Sequence, residues 1–366
     1  MKFKGDKTIW IFLAVFAAIS ILFVFSSTYR QTMRTGILHK EIMKHILTLF
    51  VGFAAAYIFH RVPFRIYKRF APIVLLLTIA FLFVMFIISL GSSNRWLLDG
   101  SIQPSELAKI VMIVYLAKVL SEGFKSTAEF VIKVLAPVGI ICMLILNGHT
   151  SAVVMIGITS LCLILMGTSN RKYITITLLS IMLAGTLYLT FDEYLGRGET
   201  AKNRVMTWIS PILGLKGDVK EDAQAKTAKR AMVSGGVIGQ GPGRSVYRKT
   251  LAEAHNDYIY AIIVEEYGTV GGIAVIILYI VIFYRVIVII RNCDKPFPAL
   301  LSMGLILMII LQAFVHIGVS VGGLPATGQN LPMLSTGGSS ILTTGIAFGI
   351  ILSVSNYVEK QGKKEL

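Results

Sequence analysis

Residues 259–290 read IYAIIVEEYGTVGGIAVIILYIVIFYRVIVII, an apolar block broken in its first third by Glu265, Glu266 and Gly268. As one helix, its thirty-two residues would reach about 48 Å, against a bilayer hydrocarbon core of about 30 Å. The block either tilts and protrudes from the membrane, or its first part lines a cavity made of protein. Composition points the same way around it. The 366-residue chain is 55% hydrophobic and 15% charged, with a mean hydropathy of +0.74, whereas soluble proteins average about 25% charged residues. Too few polar side chains are available to coat a water-facing globule of this size. The same figures exclude disorder, collagen and a disulfide scaffold. Three scattered cysteines (Cys142, Cys162 and Cys293) form neither a disulfide framework nor a zinc site and read as buried small hydrophobes.

Ten spans can be drawn at residues 8–26, 42–59, 71–91, 104–120, 130–147, 150–168, 173–191, 259–290, 300–322 and 341–358. The fold class is therefore an all-α polytopic membrane protein, a single transmembrane domain over residues 1–366. The first span follows Lys2, Lys4 and Lys7, but it is long for a signal peptide and has no small-residue cleavage site. The excess of Lys and Arg in alternate short loops places both termini in the cytoplasm. On that topology the long segment 193–256 lies outside, with a net charge of +5. A connection of this length is usually functional. Trp208, Ile209, Ile212, Leu213 and Leu215 suggest that part of it lies along the membrane surface.

Ionisable residues in or beside the apolar blocks single out the chemistry. Glu106 and Lys109, within Gln103-Pro104-Ser105-Glu106-Leu107-Ala108-Lys109, share one face of the fourth span. They are either a snorkelling pair at the interface or a polar site facing a cavity. Lys118, nearer the inner end, reads as a snorkeller. Segment 234–245 is rich in glycine, but it lacks the preceding strand and the following Lys-Ser/Thr of a nucleotide loop. Its backbone is expected to approach a ligand closely, with Arg244, Arg248 and Lys249 offering charge to an anion. Asp257 precedes the run 258–264 and could cap a helix or serve as a general base. His316 reads as a satisfied core histidine. The loop 322–340 contains no Lys or Arg, and its prolines, glycines and hydroxyls suit an ordered, non-helical lining of a wet cavity.

Taken in order, these motifs resemble the SEDS family of bacterial cell-wall synthesis (FtsW, RodA and SpoVE), over nearly the whole chain. Arg95-Trp96 with Gln103-Pro104-Ser105-Glu106 and Lys109 is similar to the family's first signature. Arg204, Pro211 and Gln224, leading into the glycines up to Gly243 and Ser245, resemble its outer loop. Glu253 with Asp257-Tyr258-Ile259, and Glu265-Glu266 with Gly268 and Gly271, resemble the third. Pro325, Gly328 and Leu331-Pro332 through Ser335 and Gly337-Gly338-Ser339 resemble the last. The chain departs from the usual pattern at Ala252, Asn147 and Tyr258.

The resemblance implies a multi-pass protein of the bacterial cytoplasmic membrane that polymerises lipid II into β-1,4-linked glycan strands, releasing undecaprenyl pyrophosphate. It implies Asp257 as the catalytic base. Arg95, Gln103, Glu106, Lys109, Arg204, Gln224, Arg244, Glu266, Ser335 and Ser339 are the expected substrate-binding residues. A divalent cation (magnesium or manganese) could assist at the pyrophosphate, and no organic cofactor is expected. The implied partners are a class B penicillin-binding protein, other divisome or elongasome membrane proteins, and membrane lipids, with no nucleic acid. Glu253-Ala254-His255 leans towards the division branch over the elongation branch. A lipid II flippase and a division scaffold stand as the alternatives.

Overall fold

The computed structural model describes residues 4–32, 38–91, 103–146, 150–195, 208, 223–251 and 257–362. The described residues are built on helices: α1 (Lys7–Thr32), α2 (Leu38–Phe59), α3 (Phe64–Gly91), α4 (Pro104–Glu122), α5 (Thr127–Leu146), α6 (Thr150–Gly167), α7 (Arg171–Leu195), α8 (Ala223–Gly235), α9 (Ile259–Arg291), α10 (Pro296–Ser320) and α11 (Gly338–Gly362). All but α8 coincide with the ten spans drawn from the sequence. Eight are long and apolar enough by length and composition to cross a bilayer. α4 is not among them; Glu106, Lys109, Lys118 and Glu122 lie along it.

That charged helix is enclosed. α4 packs against α3, α6 and α10, and Glu106, Lys109 and their apolar neighbours are buried. Polar side chains on a spanning helix are tolerated where they face protein, and α4 follows that rule. The lipid-type residues lie outside: Leu76, Met143 and Met182 are fully in view at the periphery. The three cysteines are half-buried and unpaired, so the sequence expectation of full burial does not hold for them.

Small residues allow a close contact between α2 and α11. Gly52 and Ala56 on α2 face Gly345 and Gly349 on α11, each pair one turn apart. A methyl group added to Gly345 would lie 2.2 Å from the Gly52 carbonyl oxygen, and one on Gly349 would lie 2.7 Å from that of Ala56. Backbones packed this tightly gain dispersion contacts that lipid-facing leucines cannot supply. The termini meet at one end of the bundle. There the Asp6 amide donates to Ser355 Oγ at 2.9 Å and Arg285 Nε to Asp6 Oδ2 at 2.7 Å.

α9 resolves the over-long block of the sequence. Gly268 has φ +70°, a conformation that glycine reaches without a Cβ penalty, and it breaks the helix in two. Residues 259–266 are buried, so this upper piece is lined by protein. The glycine turn after α8 closes the break. Gln240 and Gly241 N–H donate to the Glu265 and Glu266 carbonyls at 3.0 and 2.9 Å, while Thr269 and Val270 N–H donate to Gly236 and Val237 at 2.9 and 3.3 Å. Four backbone groups freed by the break thus find partners. The close approach made by these glycines is to α9 itself, which corrects the ligand-facing expectation: a Cβ on Gly239 would lie 2.3 Å from the Glu266 oxygen, and one on Gly268 2.1 Å from that of Val237.

Replacing Gly268 with alanine should therefore cost about 2 kcal/mol or more through strain and clash with backbone that cannot yield. Gly139→Ala, at a helical site where a Cβ meets nothing within 4 Å, should be neutral or mildly stabilising. Melting temperatures in detergent check the pair, and equal melting of the two variants would contradict the account.

Candidate active site

Loop 322–337, between α10 and α11, is ordered without being helical, and buried side chains tie it down. Gln312 and His316, one turn apart on α10, each hold one of its carbonyls. Gln312 Nε2 donates to Asn330 O at 3.1 Å, and His316 Nδ1 lies 2.7 Å from Gln329 O. The Gln329 side chain donates to Ser151 Oγ on α6 at 2.8 Å, Leu331 N–H to Ser335 Oγ at 2.8 Å, and Tyr279 OH on α9 to Pro332 O at 2.5 Å. Ser20 on α1 links His45 Nε2 (2.9 Å) to Leu334 O (3.3 Å). An ordered, non-helical loop with carbonyls fixed from three helices results.

The Glu106–Lys109 pair joins the same network. Lys109 Nζ donates to Glu106 Oε1 at 2.7 Å and to Gln312 Oε1 at 3.1 Å. Lys109 is 2% exposed and Glu106 4%, which removes the snorkelling reading, since a snorkelling head reaches water. The lysine also borders a small cavity with Met112, Ile156, Thr159, Ser160 and Met308. Gln103, at the start of α4, donates its backbone N–H to Ser339 Oγ at 2.7 Å. Five residues singled out from two distant motifs are thereby brought together: Gln103 with Ser339, and Glu106 through Lys109 and Gln312 with the loop that holds Ser335.

Asp257 stands half-buried at the head of α9. The helix N-cap falls on the next residue, Tyr258, whose own side chain makes no capping bond. Gly328, with φ +61°, passes directly over the carboxylate: a Cβ at that position would lie 3.4 Å from Asp257 Oδ2. The carboxylate and the carbonyl-held loop are immediate neighbours.

Other expected site residues fall elsewhere. Glu266 is buried at the helix break, where Ser26 Oγ donates to its Oε2 and Gly243 N–H donates to Ser26 Oγ at 2.5 Å. It lies nine positions on from Asp257 in sequence, beyond the buried stretch 259–265. Glu265 is likewise spent on the outer segment, accepting from Ser245 Oγ (2.5 Å) and Val246 N–H (2.7 Å). Arg248 is buried against the Ser26 carbonyl and does not present its charge outward as expected. Arg244 is exposed, and Gln224 is half-buried at the start of α8. Arg95 and Arg204 lie outside the described residues, as do Glu253, His255 and the stretch 209–215. Among the described residues, no three His, Cys, Asp or Glu side chains cluster to hold a metal ion. Gln312 was missed from sequence, although an amide in an apolar span one turn from a histidine is itself a signal.

The FtsW/RodA/SpoVE family, described as cell cycle proteins, matches residues 6–360. A probable peptidoglycan glycosyltransferase FtsW of Nitrosococcus halophilus is 34% identical over 84% of this chain and 81% of its own. The protein of that description from Bacillus subtilis is 30% identical over 88% and 84%. Among solved structures, a chain of a peptidoglycan synthase complex superposes with a TM-score of 0.75 at 20% identity, covering 96% of this chain and 97% of that one. The Thermus thermophilus rod shape determining protein RodA gives 0.66 at 18%, covering 96% of each. These structures share the fold.

The buried pair makes a sharp prediction. Lys109→Met leaves Glu106 without its cation and should lower stability by about 3–5 kcal/mol, whereas Glu106→Gln with Lys109→Met together should recover most of the loss. Denaturation in detergent reads both. A single variant as stable as the parent would mean that water reaches the site.

Proposed function

Because the chain belongs to the FtsW/RodA/SpoVE family, we propose that it is a peptidoglycan glycosyltransferase of the bacterial cytoplasmic membrane that polymerises lipid II. The observation that carries the reading is the half-buried Asp257 carboxylate, set beside a loop whose carbonyls are fixed. The 4-hydroxyl of one disaccharide attacks C1 of a lipid-linked chain, Asp257 takes the hydroxyl proton, and the C1–oxygen bond to undecaprenyl pyrophosphate breaks with its electron pair. Attack from the face opposite the leaving group turns the α-linkage into β-1,4. A base held in place and partly shielded from water suits this step. Gly328 leaves room over the carboxylate that any side chain would fill. The loop carbonyls offer acceptors for sugar hydroxyls and amides.

Charge for the departing pyrophosphate falls to exposed Arg244, with Arg95 and Arg204 proposed for the same task. Lys109, deep and already paired, contributes by holding Gln312 and, through it, Asn330. The relatives of FtsW description favour a role in division over elongation. A class B penicillin-binding protein is the proposed partner, in keeping with the likeness to a chain of a synthase complex.

Asp257→Asn preserves shape and removes basicity, so strand synthesis from labelled lipid II should fall about 10²–10⁴-fold. Gel analysis of strands made by purified protein is the measurement. Near-normal strands from this variant would remove Asp257 as the base, and no strands from the unaltered protein, with or without the crosslinking partner, would favour lipid transport. Addition of the cognate penicillin-binding protein should raise the unaltered protein's rate, and an unchanged rate would remove it as an activating partner.

A further inference from the structure

The glycine turn that closes the α9 break carries a group of large apolar side chains away from the protein. Val233, Val237 and Ile238 are 82%, 68% and 85% exposed, far more than a turn gains from shedding such residues into water. Their position along the membrane normal follows from α9. Arg285, joined to Asp6, and Arg291, the last residue of the helix, bracket the bilayer boundary at the terminal end. Twenty helical residues from either one, about 30 Å, end between positions 265 and 271. Gly268 therefore sits at the hydrocarbon edge on the Asp257 side, and the Val237 carbonyl is bonded to Val270, two residues below. Below that, the outward face of α9 continues as exposed Ile273, Ile277 and Ile280, the face that meets lipid.

Charge changes along α8 in the matching sense. This helix descends beside α9: Ala228 and Met232 pack with Tyr258, Ala261 and Ile262, whereas Gly235 abuts Val264 and Glu265. Its exposed side chains pass from Lys226 and Arg230 to Val233, and then to Val237 and Ile238 in the turn. Seven residues separate Lys226 from Val233, about 10 Å of helix. Cations at headgroup height above apolar side chains at acyl height are the pattern of a segment seated in a membrane interface.

We infer that Val233, Val237 and Ile238 insert into the leaflet on the Asp257 side, with Lys226 and Arg230 among acidic headgroups, and that this anchor sets the height of Asp257. The helical segment 259–267 between break and carboxylate, buried over 259–266, spans about 14 Å. Gly268, bonded to the anchored turn, fixes its base. Asp257 is thereby held above the headgroups, at the level of sugars whose lipid tails remain in the bilayer. Only this last consequence rests on the proposed polymerase activity; the lipid contact does not.

The test places the protein in nanodiscs of phosphatidylethanolamine and phosphatidylglycerol brominated near the headgroup end of the acyl chains. After subtraction of the native Trp10, Trp96 and Trp208 signal, a tryptophan introduced by Ile238→Trp should be quenched at least about twofold more than one introduced by Thr250→Trp. A lipid-soluble carbene probe on the unaltered protein gives a second reading that needs no substitution. It should label residues 233–238 as it labels 270–277, and leave 247–251 unlabelled. Quenching equal to that at Thr250, or absence of label, would overturn the anchor. So would label that appears at full strength in detergent and disappears only when a penicillin-binding protein is added, since the patch would then be a protein-docking surface. Lipid contact with no strand synthesis would leave the anchor standing and remove the polymerase reading.

Discussion

A backbone N–H or C=O exposed to hydrocarbon costs several kcal/mol, so a membrane helix can be interrupted only where something else supplies the missing partners. The rest of this molecule depends on how that demand is met at Gly268. The break is satisfied by a second stretch of main chain, residues 236–241, which donates to two carbonyls above it and accepts from two amides below. No side chain could do this, because the donors must approach to a distance that a Cβ forbids on both sides. The glycines of the turn and of the helix are one device. They let α9 change from a lipid-facing span into a protein-lined post that carries Asp257.

A second device meets the first at the carboxylate. Loop 322–337 crosses the bundle end as irregular backbone and is permitted there only because its polar groups are bonded by α1, α6, α9 and α10. Gln312 and His316 take adjacent carbonyls, so Gly328, just before them, has little freedom to drift from Asp257. A base that must meet a hydroxyl within hydrogen-bond reach gains more from such fixation than from added basicity, since small displacements from productive geometry are costly.

The architecture was legible from sequence because hydropathy depends only on local residues. Blocks of some twenty apolar residues cross a bilayer whatever their neighbours do, and all ten drawn spans became helices. Partnership was less legible. Glu106 and Lys109 were recognisable as a pair through their spacing, but whether they met water or protein depended on Gln312, some two hundred positions away. The glycine segment was readable as a place of close approach, yet its object was another stretch of backbone, and backbone leaves no mark in composition. The place of Glu266 at the helix break likewise depends on a distant partner, Ser26. Proximity to Asp257 in sequence becomes distance when the intervening residues are helical. The Gly52–Ala56 and Gly345–Gly349 seam went unread because each half is merely a small residue until its partner is known.

The network around Lys109 is a poor investment if stability is its only purpose. Ion pairs taken out of water commonly fail to repay their desolvation, and apolar residues of equal volume often do as well or better. What an apolar pair could not do is orient an amide. With Lys109 Nζ on Gln312 Oε1, the Gln312 NH₂ group must face the loop and the start of α11, where it meets Asn330 O and Ser340 Oγ. Flipping the amide would set its donors against the ammonium and its oxygen against a carbonyl. Glu106 holds the lysine turned inward, the lysine fixes the glutamine, and the glutamine fixes a loop carbonyl two residues beyond Gly328, the glycine that lies on Asp257. Charge at the heart of the bundle thus determines geometry at its rim, a function for which the ammonium itself need never touch a substrate.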